Sequence, residues 1–244
     1  MAFNSAQYEA VTAKLTSGIQ DLSDKLKQVG PKAESTANHW YVPDVVADAL
    51  IWAANKLIEL GSWVLNKITE LLEGVAAPVA MFFYAMDWQS NVRGPASSVA
   101  GEVAPEALVA PKHWSGDGAT AYTTSVKDQP TAATQIETSA DKIAGALNIC
   151  AVAGMAFYVA LGVILVKFIA ATIAAIAALG SVVFSWAGAA IIVEEAGVNT
   201  GLIIAAVTTL VAALGAQAQQ MAVIEGEAQD NSAFPGGHWP NALA

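Results

Sequence analysis

Charge is scarce in this sequence, and most of what is present is negative. Only 13% of the 244 residues are charged, and 21 acidic residues against 11 basic ones leave a net charge of −10. A protein that binds nucleic acid needs a basic surface to displace phosphate counterions, so this balance argues against a nucleic-acid partner. It also argues against electrostatic docking on anionic lipid. Any contact with a membrane is therefore expected to be hydrophobic.

Cysteine is limited to one residue, Cys150, which excludes a disulfide within the chain and leaves the redox compartment undecided. At the head of an apolar run we expect it to be a small buried residue, with a reactive or lipidated thiol as the alternative. A cleavable signal peptide is not expected either, because the first apolar residues after Met1 alternate with Asn, Ser, Gln and Glu. Export from the cell would then use another route.

Residues typical of catalytic and metal sites are few and scattered. The sequence holds no Gly-rich phosphate loop, no nucleophile elbow and no His-Glu-x-x-His motif. The adjacent acids Glu194 and Glu195 would point about 100° apart on a helix and do not form a catalytic pair. His39, His113 and His238 each precede a tryptophan in separate predicted loops, which suits an interfacial anchor or ordinary loop packing. We predict no enzyme activity, no metal and no cofactor.

The sequence is instead rich in small apolar side chains. Hydrophobic residues make up 55% of the chain, although only 8% of residues are aromatic. Small side chains let helices approach closely, either in a bundle or in lipid. We predict an all-α, oligomeric fold with an N-terminal helical bundle, a Trp-x-Gly turn and a long apolar helical hairpin. The predicted regions are amphipathic helices over 1–88, a linker over 89–113, the turn and a helix over 114–147, the hairpin over 148–230, and a Gly/Pro-rich tail over 231–244.

The N-terminal region is predicted to contain two amphipathic helices. From Tyr8 onwards apolar residues recur at alternating spacings of four and three, until Gly30 and Pro31 end the first helix and a loop begins. This seam packs either inside the chain's own bundle or against another chain. A second helix begins at Asp44 with one apolar and one charged face, which favours a bundle surface over a lipid interface. The central members of the first helix's seam are Leu15, Ile19, Leu22 and Leu26.

The longest apolar stretch predicts helices of transmembrane length. Within the 51-residue span 143–193 the only charged residue is Lys167. The span divides into 149–166 and 168–193, and either piece is long enough to cross a bilayer. As one helix it would extend roughly 75 Å, so the chain turns near Gly180, projects beyond the membrane, or lies in a large assembly. Lys167 would snorkel to the interface, pair with an acid of a neighbouring helix, or line an aqueous lumen.

The predicted hairpin has a polar tip and a seam of small residues. Its arms lie within 149–214, and the tip is expected where acidic residues and glycines interrupt the apolar sequence, at Glu194, Glu195 and Asn199. The arms would contact lipid or copies of the chain, because an isolated monomer in water leaves that surface uncovered. The residues expected to pack closely between helices are Gly154, Gly162, Ala170 and Ala174.

A Trp-x-Gly motif is the most specific local signal. Trp114, Ser115 and Gly116 precede Tyr122, and either Ser115 or Asp117 can cap the following helix. The glycine suits a tight turn, and the two aromatic side chains suit the gap where helices meet. Over about 111–147 the sequence resembles the WXG-type substrates of actinobacterial type VII (ESX) secretion, in which such a turn joins two antiparallel helices. With the apolar span downstream it is similar to the larger ESX secretion-associated (Esp) proteins.

The resemblance implies an exported or envelope-associated protein. That family carries the export signal Tyr-x-x-x-Asp/Glu, and none of the five tyrosines here has an acid four residues later. Either a type VII co-substrate or chaperone supplies the signal, or this chain is a relative that is not itself exported. The implied location is outside the cell or in the envelope or membrane of an actinobacterium.

Together these features predict a secretion-associated helical protein that self-assembles and associates with or inserts into a membrane, with pore formation left open. Two alternatives remain: a structural subunit whose Ala-rich hairpin is buried in a soluble ring or filament, and a resident inner-membrane scaffold. The expected partners are copies of the chain itself and lipid.

Overall fold

Helices form the regular secondary structure of the described chain. The computed structural model describes residues 3–180, 186–229 and 232–241, and no strand occurs within these ranges, so the predicted all-α class is confirmed. The described residues divide into a first unit, Met1–Ala77 with Ala153–Ala212, and a second unit, Pro78–Val152 with Ala213–Ala244. The helices are α1 (Ser5–Ala37), α2 (Asp44–Leu72), α3 (Ala77–Asp87), a π-helical turn (Trp88–Arg93), α4 (Gly94–Glu102), α5 (Ala110–His113), α6 (Asp117–Val126), α7 (Gln129–Leu179), α8 (Trp186–Ala228) and a 3-10 turn (Pro235–Gly237).

In the first unit α1 and α2 form an antiparallel pair. Gly61 lies so close to Leu26 that a Cβ on the glycine would be 2.5 Å from the leucine Cδ2, and nearby Gly30 faces Ile58. Glycine at position 61 therefore sets how closely the two helices approach. α2 is amphipathic as predicted, because its charged residues lie in exposed or half-buried positions, whereas most residues of the predicted apolar face are buried and Val46, Leu60 and Leu71 are half-buried. Its buried residues are Ala49, Leu50, Ala53, Ala54, Leu57, Gly61, Val64 and Ile68.

The predicted seam of α1 packs within the chain. Leu15 and Leu22 are fully buried, Leu26 is nearly so, and Ile19 is half-buried. Of the two arrangements that the spacing allows, the structure shows these leucines inside the chain's own bundle. They join a core that also includes Leu50, Val64, Ile68, Leu161, Leu165 and Phe168.

α1 is longer than predicted. The sequence predicts a helix end at Pro31 and a loop over 31–43, but the helix continues through the proline to Ala37. Proline removes one helical hydrogen bond and disturbs the turn before it. The turn beyond it buries Ala33 and Thr36, and tertiary packing of this kind supplies most of the stability of helices in proteins. The prediction of a helix end at Pro31 was therefore wrong.

α7 lies parallel to α1 in the first unit. The Tyr8 ring contacts the Tyr158 ring near the start of α1, and about two turns further along α7 Leu165 contacts Gly18. A Cβ on Gly18 would lie 2.8 Å from Leu165 Cδ2. The close approach at this glycine brings the two helix backbones together and places α7 beside α1.

The second unit begins with the region predicted to be a linker. Residues 89–113 are mostly helical instead, because the π-helical turn, α4 and α5 occupy much of this range. Pro95 and Pro111 lie in the first turns of α4 and α5. Proline is well tolerated there, since the N–H that it lacks has no partner inside the helix. The linker prediction was wrong because these prolines begin helices.

Polar contacts join the π-helical turn to α7 within the second unit. The Gln89 side-chain amide donates to Asp141 at 2.9 Å. The Arg93 guanidinium forms ion pairs with Glu137 at 3.5 Å and with Asp141 at 3.3 Å. The wider π-helical turn thus directs two polar side chains to one carboxylate on α7.

The Gly/Pro-rich tail packs on the start of α7. The buried Gln129 side chain donates to the Pro240 carbonyl at 2.9 Å, and Ala233 and Pro240 are buried. Within the intervening turn Pro235–Gly237, two glycines adopt positive φ angles. The described tail residues are therefore an ordered part of the second unit.

α8 continues through the predicted tip of the hairpin. Glu194, Glu195 and Asn199 all lie within the helix, so the turn predicted there was wrong. Their side chains lie outside the described residues. α7 ends at Leu179 and α8 begins at Trp186, and residues 181–185 lie outside the described residues. Glutamate favours helix, and an isolated glycine costs only about 1 kcal/mol, so these residues do not end a long apolar helix.

Candidate functional site

Apolar helix surface that the described chain leaves uncovered is the main candidate site. Three helical stretches of the described residues are long and apolar enough to cross a membrane: Asp44–Glu102, Asp117–Leu179 and Ile204–Gly226. Their most apolar 18-residue windows are buried to 17%, 50% and 0%, respectively. A helix in a protein core buries its apolar face. The third stretch therefore differs from a core helix.

This exposed stretch of α8 has an apolar surface along its length. Ile204, Val211 and Val223 are each more than half exposed, and Leu214 and Met221 are more than a third exposed. Single exposed apolar residues are ordinary on soluble proteins, but a continuous run of them marks a site of association. Ile204, Val211, Leu214 and Met221 lie within about 100° of one another around the helix, and we call these four residues the α8 surface.

A second uncovered surface runs along α7 in the first unit. Val163, Val166 and Ile173 are 53%, 64% and 46% exposed, and Ala170 and Ala174 are also exposed. Spacings of three and four residues place all five on one side of the helix. We call them the α7 stripe, which contains two of the four small residues predicted to form an assembly seam.

The other two small residues lie elsewhere on α7. Gly154 is buried and Gly162 is half-buried. Gly162 faces α1, because a Cβ added to it would lie 3.9 Å from Val11 Cγ1. Gly154 and Ala174 are twenty residues apart, which is about 200° around an α-helix. They therefore occupy opposite sides, and the prediction that all four form one seam was wrong.

Lys167, the single charge in the apolar span, lies beside a groove between α1 and α7. Its side chain is exposed, and among the described residues no carboxylate forms an ion pair with it. Lys14 of α1 also lines this groove. The sequence singled out Lys167 but missed Lys14, because only the packing of the two helices brings these distant positions together. We call this feature the α1–α7 groove, lined chiefly by Val11, Lys14, Gly18, Gly162, Val166 and Lys167.

The Trp-x-Gly motif lies directly before α6 in the second unit, with an extended backbone at Trp114 and Gly116 at the N-cap position of the helix. Gly116 has φ 97°, a conformation that favours glycine. The Trp114 and Tyr122 rings lie 6.2 Å apart between centroids. Gly118 leaves space for the indole, because a Cβ there would be 2.7 Å from Trp114 Cζ2. The helices on either side of the motif, α5 and α6, have four and ten residues. The relation to type VII substrates stays a prediction.

Exposed aromatic side chains occupy the loop between α1 and α2. Trp40 is 93% exposed; its ring meets Tyr41 edge-on, and the Tyr41 ring stacks on His39 at 5.3 Å. Val45, at the start of α2, is 67% exposed. Of the two interpretations of a His-Trp pair, this exposure favours an interfacial anchor over packing within the described chain.

Chemical groups suited to catalysis or metal binding are dispersed in the described chain. Within its described ranges, no group of three or more His, Cys, Asp or Glu side chains is placed to hold a metal ion. Cys150 is half-buried. No protein-family model, curated protein or solved structure matches the chain.

Proposed function

We propose that this chain is a helical protein that self-assembles and associates with or inserts into a membrane. The observation that carries the proposal is the α8 surface, where a stretch of bilayer-spanning length has none of its most apolar window buried. Water disfavours exposed apolar area of this extent, so lipid or another apolar surface is expected to cover it.

The geometry of α8 suits contact with lipid. The stretch Ile204–Gly226 has 23 residues, which is about 35 Å of helix against a hydrocarbon core of about 30 Å. A helix also satisfies its backbone hydrogen bonds internally, as a bilayer requires. The net charge of −10 makes this contact hydrophobic rather than electrostatic. Trp40 supplies a side chain suited to the headgroup region.

Self-association is supported by the α7 stripe. Ala170 and Ala174 are small and exposed beside larger apolar side chains. Small residues allow two helices to approach closely, in lipid as well as in a bundle. Copies of the chain are therefore proposed to meet along this stripe.

We also propose an association with type VII secretion, which rests on the resemblance around Trp114, Gly116 and Tyr122. The positive φ of Gly116 and the contact between the two aromatic rings support it. Recovery of the chain from the culture filtrate of an actinobacterium, lost when the ESX machinery is deleted, is the expected result. Equal recovery from both strains would contradict this part of the proposal.

Flotation with phosphatidylcholine vesicles tests the membrane contact. Val211→Asp places a carboxylate in the α8 surface, where Val211 is 61% exposed. A charge at the bilayer centre costs about 3 kcal/mol, so the fraction that floats with vesicles should fall strongly. Val109→Asp is the matched control, because Val109 is 66% exposed in a loop outside the long helices.

The result separates the proposal from its alternatives. Wild-type protein that does not float, yet sediments as a high-mass soluble particle, would indicate a ring or filament in which copies cover the α8 surface. Flotation that Val211→Asp leaves unchanged would show that α8 is not the contact. Release of a dye trapped in the vesicles would indicate that the chain also forms pores in the membrane.

A further inference from the structure

The α1–α7 groove combines apolar walls with a positive charge on each side. Eight of its ten lining residues are Val, Leu, Ile or Gly, and the other two are Lys14 on α1 and Lys167 on α7. Its volume is about 440 Å³, within the range of sites for small molecules. We propose that this groove binds one single-chain anionic amphiphile of the fatty-acid class. This goes beyond membrane association, because it is a saturable site with one ligand per chain.

The charges of the groove complement an acid. Among the described residues, neither Lys14 nor Lys167 forms an ion pair. Acidic residues outnumber basic ones in this chain by 21 to 11. Two unpaired ammonium groups at one groove are therefore available to a carboxylate, and hydrogen bonds to charged groups are stronger than neutral ones.

The walls complement a hydrocarbon chain. Leu165 is buried at the floor, and Val11 and Val159 are half-buried in the walls. Covering these side chains with methylene groups removes apolar surface from water, worth about 0.8 kcal/mol per buried CH₂ in general. The lysine stems are themselves apolar and extend the walls towards solvent.

The size of the groove favours an extended acyl chain over a helix. An α-helix with its side chains is about 10–12 Å across, so a partner helix would contact the rim alone. An acyl chain is narrow enough to lie between α1 and α7 while its carboxylate stays at the two ammonium groups. The alternative occupant is an acidic helix of a second copy of the chain, and the titration below distinguishes it from a fatty acid.

Gly162 allows the groove to be filled without disturbing the helices. A Cβ at this position would lie 3.9 Å from Val11 Cγ1, an ordinary van der Waals distance. Gly162→Leu therefore extends a side chain into the groove, and leucine is a better helix former than glycine. The matched control is Gly145→Leu, because a Cβ at Gly145 meets nothing within 4 Å.

Titration of the purified full chain with cis-parinaric acid, a fluorescent 18-carbon fatty acid, tests the site. The wild type should bind one equivalent saturably, and the methyl ester of the acid should bind at least about tenfold more weakly, because it lacks the charge. The double variant Lys14→Gln with Lys167→Gln should lose about tenfold or more in affinity. Lys25→Gln, on α1 but outside the groove, should bind as the wild type does.

Three outcomes would overturn the inference. Equal binding of acid and ester would show that the lysines do not recognise the head group. Undiminished binding by Gly162→Leu would place the ligand elsewhere. Failure of the wild type to bind, together with a change in particle mass on replacing Lys14 and Lys167, would show that an acidic surface of a second copy occupies the groove. Vesicle flotation measures the membrane contact independently of fatty-acid binding. A negative fatty-acid titration would therefore not contradict the proposed membrane contact.

Discussion

Tyr8 and Tyr158 meet edge to face at the end of α2, with ring centroids 5.7 Å apart and ring planes at 85°. The Tyr158 hydroxyl donates to the Leu71 carbonyl at 2.8 Å, and the Tyr8 hydroxyl donates to the Val75 carbonyl. Carbonyl groups in the last turn of a helix have no partner within it. Tyr158 satisfies such a group, Tyr8 satisfies a carbonyl in the turn that follows α2, and together they tie α1 and α7 to the C-terminal end of α2.

Tyr158→Phe is expected to destabilise the first unit. The change keeps the ring but leaves the Leu71 carbonyl without its donor, which costs about 1 kcal/mol or somewhat more when the group is buried. The free energy of unfolding from urea titration is the measurement. Tyr84→Phe is the control, since Tyr84 is 59% exposed and should lose less than about 0.5 kcal/mol. Equal losses in both variants would contradict the proposed role of the hydroxyl.

Alkaline pH is expected to weaken the same junction. Burial raises the pKa of Tyr8, and the neighbouring Tyr158 raises it further. The folded protein thus holds the hydroxyl proton more tightly than the unfolded chain does. The resulting stability is complete below the unfolded pKa of about 10 and is lost as pH rises from there towards the folded pKa.

Thermal melting at pH 8 and above measures this loss. Tyr8→Phe removes the titrating group, so its melting temperature should fall less steeply with pH than that of the wild type. Both proteins carry the other four tyrosines, so the difference in slope isolates Tyr8. Parallel curves would contradict the assignment.

Two Gly→Ala changes should have effects of opposite sign. At Gly61 a Cβ would lie 2.5 Å from Leu26 Cδ2, and overpacking of this kind typically costs 1–3 kcal/mol, here about 2 kcal/mol. At Gly145 a Cβ meets nothing within 4 Å, so alanine should stabilise α7 by up to about 1 kcal/mol. Urea unfolding of the two variants is the measurement. A stabilised Gly61→Ala protein would show that the α1–α2 spacing is not set by this glycine.

The helices were predictable from the sequence where apolar spacing and burial agree. Leu15 and Leu22 follow the seam, and their burial matches it. Proline marks an interruption in a sequence, but Pro31 lies inside α1 because the turn after it is packed. Local composition alone does not contain that tertiary contribution.

The candidate sites were less predictable, because they depend on which helix faces meet. Ala174 was expected beside Gly154 in one seam, but helix rotation places the two on opposite sides of α7. Lys14 has an ordinary place on a polar helix in the sequence, and packing beside α7 alone brings it to the groove of Lys167. Glu194 and Glu195 suggested a turn, but their helix propensity is compatible with the continuous α8.

Gly116→Ala should disturb the start of α6. Gly116 has φ 97° and ψ −172°, a backbone region essentially restricted to glycine, and holding another residue there costs about 1–3 kcal/mol. Loss of stability in urea unfolding is therefore expected, together with reduced secretion if the motif acts in export. Gly145→Ala is again the control for a helical glycine. A Gly116→Ala protein of undiminished stability would contradict the expected strain at position 116.

Ala174→Asp tests whether the α7 stripe holds copies of the chain together or contacts lipid. Ala174 is exposed in the first unit, so the change should alter the free energy of unfolding by less than about 0.5 kcal/mol, as for other surface substitutions. In an interface between helices or in lipid, however, an unpaired carboxylate costs several kcal/mol. The expected result is a folded protein with lower particle mass, weaker vesicle flotation, or both.

Light scattering for mass, circular dichroism for folding and vesicle flotation together distinguish the outcomes. Ala13→Asp on α1 is the matched control, because Ala13 is an exposed helical alanine outside the three stretches of membrane-spanning length, and it should leave all three measurements unchanged. Unfolding of the Ala174→Asp protein would instead mean that the stripe is internal. If Ala174→Asp is folded and keeps both the mass and the flotation of the wild type, the stripe is neither an interface nor a lipid contact. A simultaneous loss in Val211→Asp would then assign association to the α8 surface alone, because that variant places the same charge on the other uncovered face.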